Sequence, residues 1–389
     1  MFDHLHITNA RERLAVGLAD VALAPLGWTR ATPAAGPAPP RVLLLRLERI
    51  GDLLMTHAAI VRARALWPDA TIDLVVGSWN APLAAMMPEV SHVLTVDVPW
   101  LAREGTGESW PALIRTARSW RAGRYDLAIN FEPDIRSNAL TWLSGATRRV
   151  GFWTGGGGRL LTTALAFDPH AHVADNAARL LDTVSPTGHT PPVLTSPLVP
   201  DDRARAAADR VLGGLARGRR LVGLHVSGGR QSKQWHLDRF ADVGRALAET
   251  ESSALVLTGS AGDRALVEAV RTALGDVPVV DTAGHLTLPE TAALLARLDV
   301  LVTGDTGPMH LASAVGTPVV ALFGPSDPRR YGPRGGPSSI LRVQLPCSPC
   351  GQVRLPPERC RGHVPDCMDG ISVERVVAAA RALLGSRRP

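Results

Sequence analysis

The chain is almost without lysine. Of its 42 lysine and arginine residues, one is Lys233 and the remaining 41 are arginine. A composition this rich in Arg, Ala, Gly and Pro indicates a GC-rich bacterial genome, and against that bias Lys233 is the exception to be explained. Other absences narrow the class. No run of five or more basic residues accompanies the formal net charge of +6, so nucleic-acid binding is not supported. A mildly basic surface fits anionic substrates or an anionic membrane face. No stretch approaches the roughly 18–20 uninterrupted apolar residues of a membrane span. The N-terminal segment "MFDHLHITNARERLAVGLADVALAPLGW" lacks the apolar core of a signal peptide, and a cytoplasmic protein is expected. Cysteine is missing before residue 347. No G-x-G-x-x-G opens either half of the chain, which disfavours a dinucleotide-dependent oxidoreductase.

What is present is a pattern that runs twice. At 389 residues two domains are expected. An amphipathic helix at 9–24 and a Pro/Ala linker, "ATPAAGPAPP" at 31–40, precede the first pattern. Apolar runs of buried-strand length follow at 41–47, 71–77, 92–98, 125–131 and 148–153, with helical stretches between them. The helix at 53–67 is stopped by Pro68. A Pro-rich polar stretch at 185–202 reads as an interdomain linker. The pattern then restarts with strands at 219–229, 253–260, 277–284, 298–305 and 317–324. Helices fit at 237–249, 262–274, 289–297, 308–315 and 372–385. Continuous apolar strands alternating with helices predict parallel sheets covered on both faces. The predicted fold is α/β, two Rossmann-like parallel-sheet domains facing each other across a cleft at the carboxyl ends of their strands. The divisions are 1–40 for the N-terminal helix and linker, 41–190 for the first domain and 191–389 for the second.

Three loops could carry chemistry. In "LVTGDTGPMH" a strand ends at Gly304 and Asp305, and a helix starts at Pro308 with Thr306 available to cap it. Its unpaired N–H groups and dipole would favour a phosphate, although Gly, Thr and Pro also serve ordinary strand–turn–helix punctuation. In "RLERIGD" Asp52 stands at a helix start, either as an N-cap or as a general base. In "HVSGGRQSKQW" Lys233 ends a loop rich in small residues. A compact ammonium suits a crowded phosphate pocket better than a planar fork does, whereas a solvated loop lysine is the plain alternative.

Together, in this order, the blocks "RVLLLRLERIGDLLMTHAAI", "HVSGGRQSKQW" and "VTGDTGPMHLASAVGTPVVALFGPSDP" resemble the lipopolysaccharide heptosyltransferases of glycosyltransferase family 9. The resemblance spans about residues 41–385. It implies the GT-B architecture and transfer of L-glycero-D-manno-heptose from ADP-heptose to a glycolipid or other sugar acceptor. Transfer would invert the anomeric centre and use no cofactor or catalytic metal. It casts Asp52 as the base on the acceptor hydroxyl and Lys233 as the ligand of the donor phosphates, with Ser227 and Gly228 beside it. It casts Asp305, Thr306 and Gly307 as the donor clamp, His310 as an assistant one turn further on, and the "GSAGDRA" loop at 259–265 as the adenosine end. The N-terminal helix lies outside the family core. It either packs on the first domain or makes peripheral contact with the inner face of the membrane.

Cys347, Cys350, Cys360 and Cys367 are spaced C-x2-C-x9-C-x6-C, with His363 among them. Reduced structural thiols are expected, with a structural zinc site as the alternative. "GGGG" at 155–158 reads as a flexible loop facing the acceptor, and Trp153 and Trp235 as core residues or sugar-stacking platforms. Two other functions fit the same plan. A nucleotide-sugar epimerase would need further acids or bases in the second half, and none is evident in the sequence. A non-catalytic nucleotide-sugar-binding protein would bind donor without transferring it.

Overall fold

A computed structural model describes residues 2, 4–7, 9–23, 25, 40–101, 107–185, 198–215 and 218–385. The chain divides into two compact units, Met1–Thr195 and Ser196–Pro389. Most of both expected linkers, 31–39 and 186–197, lies outside the described residues. The end of the second one is already part of the second unit. Leu198 is buried, its N–H donates to the Ala314 carbonyl at 2.8 Å, and the Asp201 side chain caps the next helix.

The first unit holds β1 (Arg41–Leu45), β2 (Thr71–Val76), β3 (His92–Thr95), β4 (Leu127–Asn130), β5 (Arg148–Phe152) and β6 (Thr163–Leu165). Its helices are α1 (Ala10–Leu23), α2 (Ile50–Leu66), α3 (Ala81–Ala84), α4 (Trp110–Ser119), α5 (Ile135–Leu143) and α6 (Val173–Asp182). The second unit holds β7 (Arg220–His225), β8 (Ser253–Thr258), β9 (Val279–Asp281), β10 (Val300–Gly304), β11 (Val319–Leu322) and β12 (Ser338–Leu341). Around them lie α7 (Asp202–Leu212), α8 (Leu237–Glu251), α9 (Arg264–Leu274), α10 (Leu288–Ala296), α11 (Gly307–Ala314), α12 (Pro328–Tyr331), α13 (Asp366–Asp369) and α14 (Val373–Gly385).

Every ladder is parallel. The orders are β3-β2-β1-β4-β5-β6 and β9-β8-β7-β10-β11-β12, the same doubly wound order in both units. The central strands are apolar along their whole length because helices cover both faces, as in Val42–Leu45, Ala254–Leu257 and Val300–Val302, all fully buried. Two strands, β6 and β12, were not expected. They are short edge strands whose residues alternate between exposed and half-buried, so they lack the continuous apolar run that marks the others.

The tetraglycine is not a flexible loop. Residues 155–157 are buried, and a Cβ placed on Gly155 would come within 1.8 Å of the Pro133 carbonyl oxygen. The next glycines lie against Ile135 and Val16, and the Gly157 N–H donates to Asp20 Oδ1 at 2.8 Å. Close packing, with α1 seated on the turn, is what requires glycine there. Trp235 is likewise a core residue. Its ring meets Phe240 edge-on at 5.0 Å and its Nε1 donates to the Ile371 carbonyl at 3.1 Å, so no face is left for a sugar.

Gly155→Ala should destabilise the first unit by about 2 kcal/mol, the typical cost of overpacking. Urea unfolding followed by a probe in that unit measures it, and unchanged stability would mean that the turn yields freely.

Candidate active site

A parallel sheet that reverses strand order leaves a crevice at the carboxyl ends of the two strands flanking the reversal. In the first unit these are β1 and β4, and the loops that leave them carry Arg46–Asp52 and Phe131–Arg136. Arg46 is almost wholly buried. Its guanidinium donates to the Phe131 carbonyl at 2.8 Å and lies 3.0 Å from Glu48 Oε2 and 3.6 Å from Asp52 Oδ1. Asp52 is not the N-cap of α2. Arg49 holds that place, and Asp52 sits one turn inside as the third residue, its Oδ2 accepting the Arg49 N–H at 3.2 Å. There a carboxylate complements the helix dipole and still keeps 26 % of its side chain exposed.

Around this cation the structure gathers more carboxyls than the sequence reading had assembled. Glu132 is buried and accepts hydrogen bonds from the Leu47 and Glu48 amides and from Ser137 Oγ. Asp134 caps α5 and pairs with Arg136. Desolvation raises the Glu132 carboxyl above its ordinary range, with Arg46 opposing. Glu48, with 36 % of its side chain open, is pushed up to about 8 by burial of its carboxyl, Arg46 pulling down and Asp52, Glu132 and Asp134 pushing up. One buried cation is shared among several carboxyls, which raises the affinity of the group for a proton. The Glu48 carbonyl is fixed by Trp79 Nε1 at 3.0 Å and Asn80 Nδ2 at 2.9 Å.

In the second unit the reversal lies between β7 and β10. After β7 the chain turns through Ser227, Gly228 and Gly229 into a single 3-10 turn, Gln231–Lys233. Gln234 locks this loop, its Oε1 accepting the Gly228 N–H at 2.8 Å and its Nε2 donating to the Val226 carbonyl at 2.7 Å. A Cβ on Gly228 would meet Gln234 N at 2.7 Å, so only glycine permits the approach. Lys233 therefore points to the end of β10. Its Nζ donates to the Asp305 carbonyl and lies 3.3 Å from Asp305 Oδ2. Lys233 and Asp305, on loops 72 residues apart, form one ion pair at the start of α11.

Thr306 is the N-cap residue of α11, but its hydroxyl does not cap. The Oγ1 lies 3.4 Å from the Gly304 carbonyl oxygen and 3.2 Å from Thr303 Oγ1. His310 is buried one turn along. The loop at 259–265 does reach this end of the sheet. Ser260 and Asp263 form a capping box, and Ser227 also donates to Asp263. Burial pulls the Asp263 carboxyl upward, but these hydrogen bonds and His225 bring it below the ordinary range. His225 is pushed down to about 4 by burial, with Asp263 opposing, and is neutral at pH 7. Asp263 thus lies beside Ser227 and within reach of the His225 ring, which is buried at the end of β7. Their signal was only spacing, one residue at the end of a strand and one at a helix start.

The thiols of Cys347 and Cys350 are exposed, that of Cys360 half-buried and that of Cys367 buried, and none is paired in a disulfide. Burial, reinforced by the other three cysteines, pushes the Cys367 thiol up to about 11. No cluster of three or more His, Cys, Asp or Glu side chains suited to a metal ion occurs among the described residues. No helix among them is long and apolar enough to cross a membrane.

Comparison with known proteins bears on the family and the fold. Residues 113–357 match glycosyltransferase family 9 (heptosyltransferase). The chain is 28 % identical over 315 residues, 78 % of its length and 88 % of the relative's, to lipooligosaccharide heptosyltransferase 2 of Haemophilus influenzae. A glycosyl transferase family 9 structure from Veillonella parvula superposes with a TM-score of 0.75 at 25 % identity, covering 89 % of this chain and 97 % of the other. The Escherichia coli ADP-heptose LPS heptosyltransferase II superposes with a TM-score of 0.72 at 22 % identity, covering 89 % and 99 %.

Because the folded protein holds the Glu48 proton more tightly than an unfolded chain does, the stability it contributes is complete below the ordinary glutamate pKa. That stability is lost as pH rises through about 8. Glu48→Gln cannot ionise. Its melting temperature should gain on the wild type from about pH 5 upward and level off above about pH 8. A constant difference across that range would show that Glu48 titrates normally.

Proposed function

The chain belongs to glycosyltransferase family 9, the heptosyltransferases, and from that membership we propose that it moves heptose from ADP-heptose to a sugar acceptor of the lipopolysaccharide or lipooligosaccharide kind, with inversion and without a catalytic metal. One observation carries the reading. Asp52 and the Lys233–Asp305 pair occupy corresponding places, the strand-order reversals of two sheets with the same topology.

In the second unit Lys233 and the first turn of α11 receive the donor diphosphate. The bond from the anomeric carbon to the phosphate oxygen breaks and its electron pair leaves with ADP. An ammonium and a helix N-terminus oppose the growing charge. Asp305 aims the ammonium and holds heptose hydroxyls, with Thr306 and Gly307 beside it and His310 backing the turn. Ser227 and Gly228 line the loop, and the 259–265 segment takes the adenosine end. In the first unit Asp52 accepts the acceptor hydroxyl proton as the new C–O bond forms on the opposite face of the sugar. Arg46 lies 3.6 Å from Asp52 and orients its carboxylate, and the raised proton affinity of Glu48 limits the negative charge that an anionic acceptor would meet.

Calorimetry with ADP-, GDP- and UDP-sugars tests the donor, and ADP-heptose should bind best. Consumption of donor without acceptor would point instead to epimerisation, and binding without turnover to a sensor.

Asp52→Asn should keep donor affinity and slow transfer about 10²-fold or more, about 2.7 kcal/mol of transition-state stabilisation. Near-wild-type turnover would reduce Asp52 to a helix-terminal charge.

Lys233→Ala should raise the donor KM and lower kcat together, because the contact strengthens as charge develops. Lys233→Arg should recover only a minor share, since a planar fork does not fit where one Nζ meets both the carbonyl and the carboxylate of Asp305. A fully active Arg variant would refute the steric argument, and a fully active Ala variant would remove Lys233 from the site.

A further inference from the structure

α1 is built the wrong way round for a helix on a protein surface. An ordinary surface helix buries its apolar stripe and exposes its polar face. Here the face turned to the first unit carries Gly17, buried against Phe2, Asp20, bonded to the Gly157 N–H, and Val16, against Gly156. Leu14, Leu18 and Val21 recur at i, i+4 and i+7, and they are 47 %, 57 % and 62 % exposed. Ala15, Ala19 and Ala22 extend that face.

A second apolar pair lies on α4, where Trp110 and Ile114 are exposed. Of the eight large apolar side chains exposed among the described residues, these two helices supply five, so the exposure is concentrated rather than scattered. Arg136 links the neighbourhoods of the two helices. Its guanidinium lies 4.7 Å from the centre of the Trp100 ring, and Trp100 stacks on Trp110 at 5.5 Å. From the α1 side, Val16 reaches Gly156, which itself packs on Ile135 at the start of α5. Partial burial pulls against the Arg136 proton, but Asp134 outweighs it, with Glu12 of α1 and Glu132 adding their charge.

The rim is cationic. α4 carries Arg115 and Arg118, both exposed, and no acid, and Arg11 is exposed on α1. The acid of α1's first turn, Glu12, is close enough to Arg136 to act on it. A second copy docked about a two-fold axis would set these arginines against one another. Anionic lipid headgroups would meet them instead, with Leu14, Leu18 and Val21 below the headgroups and Trp110 at their level.

We propose that α1 and α4 form the surface by which this protein lies on an anionic bilayer. The surface is at the working edge of the sheet. α2, α4 and α5 all begin at the carboxyl ends of parallel strands, so Trp110, Arg136 and Asp52 share that edge. A bilayer docked here brings lipid-anchored sugars to the end of the unit that holds Asp52. That last step rests on the function proposed above, whereas the docking itself does not.

The test is co-sedimentation of the full chain with vesicles of phosphatidylcholine alone or mixed with phosphatidylglycerol, with no donor or acceptor present. The wild type should sediment with the anionic vesicles. Leu14→Gln/Leu18→Gln/Val21→Gln should partition about tenfold less, and Arg115→Gln/Arg118→Gln should lose the preference for anionic over neutral vesicles, both with unchanged melting temperature. A wild type that stays in the supernatant, or a triple variant that partitions like it, would overturn the proposal. So would a wild-type dimer, seen by light scattering, that the triple variant dissolves without any vesicle effect. Failed heptose transfer with intact vesicle binding would count against the proposed reaction alone.

Discussion

Everything chemical in this protein depends on one property of parallel sheets, that helices cover their faces and leave only the strand ends open. Where the strand order reverses, successive loops leave the sheet in opposite directions, and the gap between them is the one place where backbone amides, helix starts and side chains converge. Both units place their unusual residues there. β1 and β4 deliver Arg46, Asp52, Glu132 and Asp134, and β7 and β10 deliver Ser227, Lys233, Asp305 and Thr306. The same backbone plan is furnished with opposite chemistry. The first unit surrounds one buried cation with carboxyls, and the second sets an ammonium at the start of a helix.

That contrast explains how the two loops are held. Burying the Arg46 guanidinium would be costly without partners, so its surroundings are fixed by necessity. The Phe131 carbonyl, Glu48 and Asp52 each hold part of it. In the second unit the restraint comes from Gln234, whose amide ties the chain on either side of Gly228. The lysine then needs only a single ion pair to be aimed. A rigid loop and a flexible four-carbon stem divide the work of positioning.

The architecture was legible because buried parallel strands are written as unbroken apolar runs, as in "RVLLL" and "SALVLT". The edge strands β6 and β12 were not, since each has little apolar sequence of its own. Lys233, Asp305 and Asp52 were found from their loops, but their partners were not. Glu132 is 80 positions from Asp52 in sequence and is coupled to it through Arg46, and nothing local announces that link. The tetraglycine misled for a related reason. Its composition reads as freedom, while the cause of its composition is the Pro133 carbonyl pressing on it from a different loop. Thr306 has the residue type and position of a cap, yet its hydroxyl is taken by its own strand end.

The seat of α1 has a consequence for the order in which the chain assembles. Asp20 and its partner Gly157 are separated by 137 positions, so the helix leaves the ribosome long before the turn that receives it exists. Once the turn has formed, Leu14 and Leu18 still stand 47 % and 57 % exposed among the described residues. Because the seat consists of a glycine, a valine and one carboxylate rather than an apolar stripe, detaching it exposes little new hydrocarbon to water. Opening of that kind belongs at the low end of the free-energy scale for local unfolding. In hydrogen exchange the amides of α1 would be expected to lose protection well before those of β1, whose strand is locked between β2 and β4.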